Sequence, residues 1–221
     1  EWKQNDNGDF IKYGDGIQTS DSGHIFEGKF EDEYAIGEAK LKNGDIYVGE
    51  INALTFVLDG KGKYTFLDGE IFEGDFKNDA AYGDVVHKDK SGRIYKGSVI
   101  KWLWNGYGEL SASDGSLYKG SFKDGILNGY GVYTFSDENE FFSKYQGEYK
   151  DGLENGQGIF FDKKGRMTYS GELKDGIKHG YGTDIFYLDD GSFMSYIGGF
   201  LNGFYNGFGK STFSDGSFYI G

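Results

Sequence analysis

The chain has 221 residues, a formal net charge of −13, and neither cysteine nor proline. The lack of cysteine excludes disulfides and thiol catalysis. The acidic balance repels DNA, RNA and anionic lipid unless one face is locally basic, and the densest basic stretch, Lys88, Lys90, Arg93 and Lys96, is interrupted by Asp89.

Taken in order, Glu1, Trp2 and Lys3 read as part of a first strand, with Gly14 and Gly16 supplying the Gly-x-Gly of that unit. An aromatic-x-Gly signature then opens at Phe26, Tyr47, Phe72, Tyr95, Tyr118, Tyr145, Tyr169, Tyr196 and Tyr219. The mean step of about 24 residues is a repeat-protein period. Within seven of eight units, nine positions separate the first glycine from the next Gly-x-Gly, as from Gly28 to Gly37 or Gly120 to Gly129; Gly49 to Gly60 is the exception. Each unit reads as two short strands. Tyr118, Gly120 and Phe122 alternate with polar residues, which places them on one face, and Gly129, Gly131, Tyr133 and Phe135 share a face on the second strand. Asp-Gly or Asn-Gly pairs separate the strands, at Asp124, Asp151, Asp175 and Asn202, and others separate the units, at Asn43, Asp68, Asp114, Asp190 and Asp215. Such pairs between alternating runs are strong hairpin signals. Glycine (39 residues) and aromatics (19%) are both abundant, which suits tight turns between strands and not a disordered linker.

The predicted fold is all-β: an elongated, single-layer, twisted antiparallel meander of stacked hairpins, rod- or arc-shaped. Some 17 strands would span on the order of 80 Å. Residues 1–221 read as one array, with 1–25 a partial, degenerate repeat, 26–218 eight repeats and 219–221 the start of another. Both ends fall mid-repeat, so the sequence reads as an excerpt of a longer protein. Glycine weakens a strand unless something approaches closely. Gly28, Gly49, Gly74, Gly97, Gly120, Gly147, Gly171, Gly198, Gly129 and Gly131 are therefore predicted to be architectural, each covered by an aromatic from the neighbouring strand. Gly83-Asp84-Val85 has lost its second glycine, and Gly37-Glu38-Ala39 departs from the pattern in the same way.

The repeated Tyr-x-Gly-x-aromatic, Asp-Gly, Gly-x-Gly pattern resembles the MORN repeat over Phe26 to Gly221, with Ile51, Val99 and Leu173 where the second aromatic is usual. The resemblance implies a sheet of stacked hairpins with a groove along one side and a non-catalytic role. It also implies use as a scaffold beside cytoskeleton or membrane, as a peptide groove or as a homodimerising rod, with phospholipid binding proposed for some members.

The residues add little catalytic chemistry. His24, His87 and His179 lie in different units without ligand spacing. The acidic turns Asp6-Asn7-Gly8-Asp9 and Asp189-Asp190-Gly191 lack the EF-hand arrangement and read as turn formers. The Gly-x-Gly pairs do not extend to a nucleotide-binding loop. Neither a metal nor a cofactor is expected. The remaining signal is aromatic. Tyr107, Tyr130, Tyr181 and Phe208 stand in the middle of Gly-x-Gly, where alternation puts them opposite the glycines, with Trp102, Trp104, Phe204 and Tyr205 just before. Repeat-equivalent aromatics pack within the array, or form an interaction stripe, bordered by Glu27, Glu50, Asp75, Glu148 and Glu172. The expected function is a cytoplasmic scaffold at a cytoskeletal or membrane-proximal structure. It binds a basic or amphipathic protein segment and homodimerises, without nucleic acid. The alternatives are a phospholipid-binding module, which the charge disfavours, or the regulatory part of an enzyme whose catalytic domain lies elsewhere.

Overall fold

The computed structural model describes residues 2–4 and 10–221, and within them every regular element is a strand. The chain divides into two compact units, Glu1–Gly108 and Glu109–Gly221. The first holds β1 (Trp2–Gln4), β2 (Phe10–Thr19), β3 (Ile25–Glu31), β4 (Tyr34–Lys40), β5 (Ile46–Asn52), β6 (Leu58–Thr65), β7 (Ile71–Lys77), β8 (Ala80–Lys88) and β9 (Ile94–Ile100). The boundary falls within β10 (Leu103–Ser111). The second unit continues with β11 (Leu117–Lys123), β12 (Ile126–Thr134), β13 (Phe142–Lys150), β14 (Leu153–Asp162), β15 (Met167–Lys174), β16 (Ile177–Tyr187), β17 (Phe193–Leu201), β18 (Phe204–Phe213) and β19 (Phe218–Ile220). The described strands, nineteen where about 17 were expected, form an open antiparallel sheet of hairpins that does not close into a barrel.

The turns follow from their residues. Asp124 and Gly125 both have positive φ, 51° and 84°, as a two-residue hairpin loop matched to strand twist requires. Asp151, Asp175 and Asn202 repeat this, each followed by glycine. The same turns join neighbouring hairpins. Gly152 N–H donates to Leu127 O at 3.0 Å, Gly176 to Glu154 O at 2.8 Å and Gly203 to Lys178 O at 2.9 Å. At the outer turns, Asp114 Oδ1 accepts from Ser116 N (2.9 Å) and Oγ (2.7 Å), and Asp190 and Asp215 hold Ser192 and Ser217 in the same way. The carboxylate of Asp190, one of the calcium candidates, is thus engaged as a turn former. The other candidate, Asp6 to Asp9, lies outside the described residues.

The organising feature is a row of glycines crossing each unit at right angles to its strands. In the first unit Gly16, Gly28, Gly37, Gly49, Gly62 and Gly74 pair in succession, followed by Val85 and Gly97. In the second the row runs Gly120, Gly131, Gly147, Gly158, Gly171, Gly182, Gly198, Gly209. A β-carbon on Gly120 or Gly131 would collide with the Tyr118 ring. One ring therefore covers the glycine two residues ahead on its own strand and that glycine's partner across the hairpin. The expectation that the ring always comes from the neighbouring strand is corrected for the first of the pair.

The tyrosine is pinned by a register break. Gly120 pairs with Gly131 but Phe122 with Leu127, so Ser121 faces three residues, Asn128 to Tyr130, and leaves the ladder. Its carbonyl accepts from Tyr118 Oη at 3.0 Å. Tyr47, Tyr95, Tyr145, Tyr169 and Tyr196 donate likewise to the carbonyls of Glu50, Ser98, Glu148, Glu172 and Gly199. Gly129 sits in this bulge at φ 97°, outside the glycine row, which corrects its grouping with Gly131. The hairpin β3–β4 has no break: Gly28 pairs with Gly37 and Phe30 with Ala35. Gly37 is therefore the second glycine of its pair, and its unit lacks the bulge rather than the glycine.

The tyrosines and the residues four positions on form the core on this glycine face. Tyr47, Tyr95, Tyr118, Tyr145 and Tyr169 are each at most 1% exposed. Each hairpin depends on the next: Tyr118 meets Tyr149 edge-on at 5.3 Å, Tyr169 meets Phe200 at 5.5 Å and Tyr47 meets Phe76 at 5.1 Å. Burying one such side chain is worth about 1.5–3 kcal/mol, and no single repeat supplies both partners. Ile51, Val99 and Leu173 fill the second-aromatic position and are buried.

Candidate functional site: an exposed aromatic row

Residues that alternate with the glycines point to the opposite face. Across the second unit, the row beside the glycines reads Tyr130, Glu148, Gln157, Glu172, Tyr181, Gly199 and Phe208, one residue from each of β12 to β18. Tyr130 is 53% exposed, Tyr181 62% and Phe208 76%. The register break positions them, because they are the bulged residues that stand out from the pleat.

The bulge also explains the intervening acids. Glu148 Oε1 accepts from Gln157 N at 3.1 Å, and Glu172 Oε1 from Tyr181 N at 3.3 Å. Their carboxylates lie over Gly156 and Gly180, where a β-carbon would collide with them. Each carboxylate so engaged retains acceptor capacity, and among the described residues no Lys or Arg forms an ion pair with either. Tyr130 Oη accepts from Gln146 Nε2 at 2.6 Å, which leaves its own proton to donate. Beside this row runs one that is uncharged from β12 to β17, Val132, Gln146, Ile159, Ser170, Thr183 and Ile197, and that ends in Lys210 on β18.

The equivalent row in the first unit is of another kind: Asp15, Lys29, Ile36, Glu50, then Lys61, Asp75, and Asp84, Ser98. Lys61 and Asp75 form an ion pair at 2.6 Å, and Ser98 Oγ donates to Asp84 at 2.8 Å. Tyr107, 70% exposed, takes the bulge position on β10 in that unit. Of the four Gly-x-Gly aromatics, Tyr130, Tyr181 and Phe208 thus share one row, while Tyr107 belongs to the charged unit.

The four remaining candidates separate. Phe204 (78% exposed) and Tyr205 (43%) lie on β18, with Tyr205 stacked on Tyr196 at 3.8 Å. Trp102 is enclosed by Tyr64, Phe66, Phe72 and Phe76, all within 5.7 Å between ring centroids. Trp104 is 9% exposed and stacks on Tyr95 at 4.7 Å. Both indoles pack inside the first unit. Sequence reading placed them by distance from Gly-x-Gly; their burial depends on long-range partners.

The histidines stay apart. His24 Nδ1 accepts from Lys42 N. His87 is buried against Phe72 at 3.8 Å, accepts from Trp104 Nε1 at Nδ1 (2.9 Å) and lies 2.7 Å from Glu70 Oε1 through Nε2. Among the described residues no three His, Cys, Asp or Glu converge as metal ligands. The glycine face carries a cavity of about 380 Å³ in the second unit, lined by Phe142, Phe160, Tyr169 and Phe186 with the Arg166–Asp162 and Lys178–Asp184 ion pairs.

Five segments, residues 57–71, 118–140, 145–165, 169–183 and 196–218, match the model of the MORN repeat. The chain is a MORN-repeat protein. Arrays of this repeat point to an interaction module, for protein or for membrane. No curated protein matches the chain. Among solved structures, the TCP domain of SAS-4 (dCPAP) from Drosophila melanogaster, in complex with a proline-rich motif of Ana2, aligns at 13% identity. That alignment covers 76% of this chain and 86% of that one, with a TM-score of 0.30. A catalytically inactive virginiamycin B lyase from Staphylococcus aureus with quinupristin aligns at 12% identity over 100% of this chain and 72% of that one, with a TM-score of 0.18. At such scores neither likeness bears on fold or function. In this MORN protein the five matched segments include the bulges of Tyr130, Tyr181 and Phe208.

Proposed function

We propose that this MORN-repeat chain is a non-catalytic scaffold that binds a protein segment across the exposed aromatic row of its second unit. One observation carries the reading: Tyr130, Tyr181 and Phe208 are large, more than half exposed, and aligned on a face whose burial the fold does not need. Aromatics at the centre of an interface dominate binding energy, while an exposed ring in isolation gains nothing for the fold. Glu148 and Glu172 lie between the rings, so a basic or amphipathic segment complements the row. The net charge of −13 opposes attachment to an anionic membrane.

The test is affinity capture with Tyr130, Tyr181 and Phe208 changed to Ser together. Loss of protein partners, with the circular dichroism spectrum and thermal midpoint kept, supports the surface; unchanged capture rejects it.

A further inference from the structure

The row has a spacing as well as a composition. Tyr130, Gln157, Tyr181 and Phe208 occupy alternate strands, β12, β14, β16 and β18. Neighbouring strands lie about 4.7–4.9 Å apart, so successive members stand about 9.5 Å apart along a line crossing the strands. A polyproline II helix advances about 3.1 Å per residue with three residues per turn, or about 9.3 Å per turn. One turn therefore spans one step to within about 0.5 Å, and the mismatch over all three steps is about 0.3–1.5 Å. An extended β-strand repeats its facing side chains about every 6.7 Å. An α-helix places seven residues in about 10.5 Å, so it drifts by about 3 Å over the same three steps.

The chemistry agrees with the spacing. A polyproline II backbone makes no internal hydrogen bonds, so its carbonyls seek external donors. The row supplies the hydroxyls of Tyr130 and Tyr181 and the exposed amide of Gln157. Proline rings pack on aromatic faces. Glu148 and Glu172 fall halfway between ring positions and offer one carboxylate for a basic residue in each of two turns.

We propose that the occupant of this row is a proline-rich, basic segment in the polyproline II conformation, lying across the strands with one turn per hairpin. This rests on the function proposed above and narrows the partner to one backbone class. Gln157 is then the weak step, where a ring is missing from an otherwise aromatic series.

Isothermal titration calorimetry on the full chain tests it, with a peptide of four Arg-Pro-Pro repeats as probe and one of four Arg-Gly-Ser repeats, equal in charge, as control. The proline peptide is expected to bind at least about tenfold more tightly than the control, a difference of one decade in Kd. Tyr181→Ser and Phe208→Ser, both at exposed positions, are each expected to remove about tenfold. Gln157→Tyr is expected to tighten binding severalfold, a gain that misfolding cannot mimic. Equal affinity for the two peptides, or indifference to Tyr181→Ser, overturns the proposal. So does binding of phosphoinositide vesicles through these residues in place of the peptide. If the Ser variants lose captured partners while the two peptides bind alike, the polyproline assignment fails and the protein-binding row stands. If neither assay responds, both fail.

Discussion

The ring of Tyr118 occupies the space that a β-carbon on Gly131 would need, and its hydroxyl is tied to the carbonyl of Ser121 at 3.0 Å. The glycine is there because the tyrosine lies over it, and the tyrosine lies flat because the bulge frees a carbonyl to hold its hydroxyl.

Gly131→Ala is therefore expected to destabilise the protein by about 1–3 kcal/mol through overpacking alone, since Gly131 is not among the residues with positive φ. In a Tyr118→Ala background the penalty is expected to shrink sharply, as coupling between contacting residues predicts. Urea unfolding of the four-member cycle measures both. Tyr118→Phe, which keeps the ring and removes the hydrogen bond, is expected to cost about 1 kcal/mol.

Trp102 stands where the hairpin β11–β12 has Gly125, at the second position of a turn, with φ 74°. A left-handed conformation costs a non-glycine residue about 1–2 kcal/mol, but four rings surround this indole. Burial of about 1.5–3 kcal/mol plus edge-to-face contacts of about 0.5–1.5 kcal/mol each outweighs the strain. Trp102→Gly is expected to be net destabilising by about 1–3 kcal/mol in urea unfolding, although glycine is the easier residue for that backbone.

Trp104 Nε1 donates to His87 Nδ1, which fixes the neutral ring with its proton on Nε2, facing Glu70. Burial lowers the imidazole pKa; the hydrogen bond and charge of Glu70 and the charge of Asp89 act against this, and Arg93 adds to it. A histidine depressed in the folded state takes up protons more readily unfolded, so stability is full above the ordinary imidazole value near 6.5 and falls as pH drops below it. Acidification is expected to release the Trp104 indole N–H, seen as loss of its hydrogen-exchange protection by NMR. His87→Gln is expected to flatten the stability slope in that window.

On the alkaline side, burial first, and then the charge of Asp84, pushes Tyr95 up to about 12; Tyr169 is likewise raised to about 12 by burial and then by Asp184 and Glu172. Between the unfolded value of about 10 and this folded value the unfolded chain loses protons first, so stability present below pH 10 falls as pH rises through the window. Tyrosinate absorbance is expected to appear together with loss of the β-sheet circular dichroism signal; ionisation of these tyrosines with the sheet intact would contradict the burial argument.

Much of this was legible in the residues. Period-two alternation placed Tyr118, Gly120 and Phe122 on one face and Tyr130 on the other, and the Asp-Gly pairs located the turns, because both signals are local. The spacing of nine was the misleading one. It marked the distance to the bulge glycine, and the residue paired with the first glycine lies two positions further on wherever the bulge exists, a glycine in most hairpins and Val85 in β7–β8, so Gly37 and Gly129 exchanged roles. Nothing within a dozen residues distinguishes a ladder glycine from a bulge glycine; only cross-strand pairing does. For the same reason the residues alone left Trp102 and Trp104 open between packing within the array and an interaction stripe, since their enclosing rings lie up to 38 positions away in the chain.

The sequence by itself determined the repeat, the all-β hairpin array and the side of each strand that aromatic and glycine share, because turn chemistry and side-chain alternation act over a few residues. Only the tertiary structure decided that one tyrosine covers a pair of glycines, that Glu148 and Glu172 cap bulge amides, and that Tyr130, Tyr181 and Phe208 form one row. Those relationships depend on register between strands, and a two-residue bulge changes register without changing the pattern along either strand.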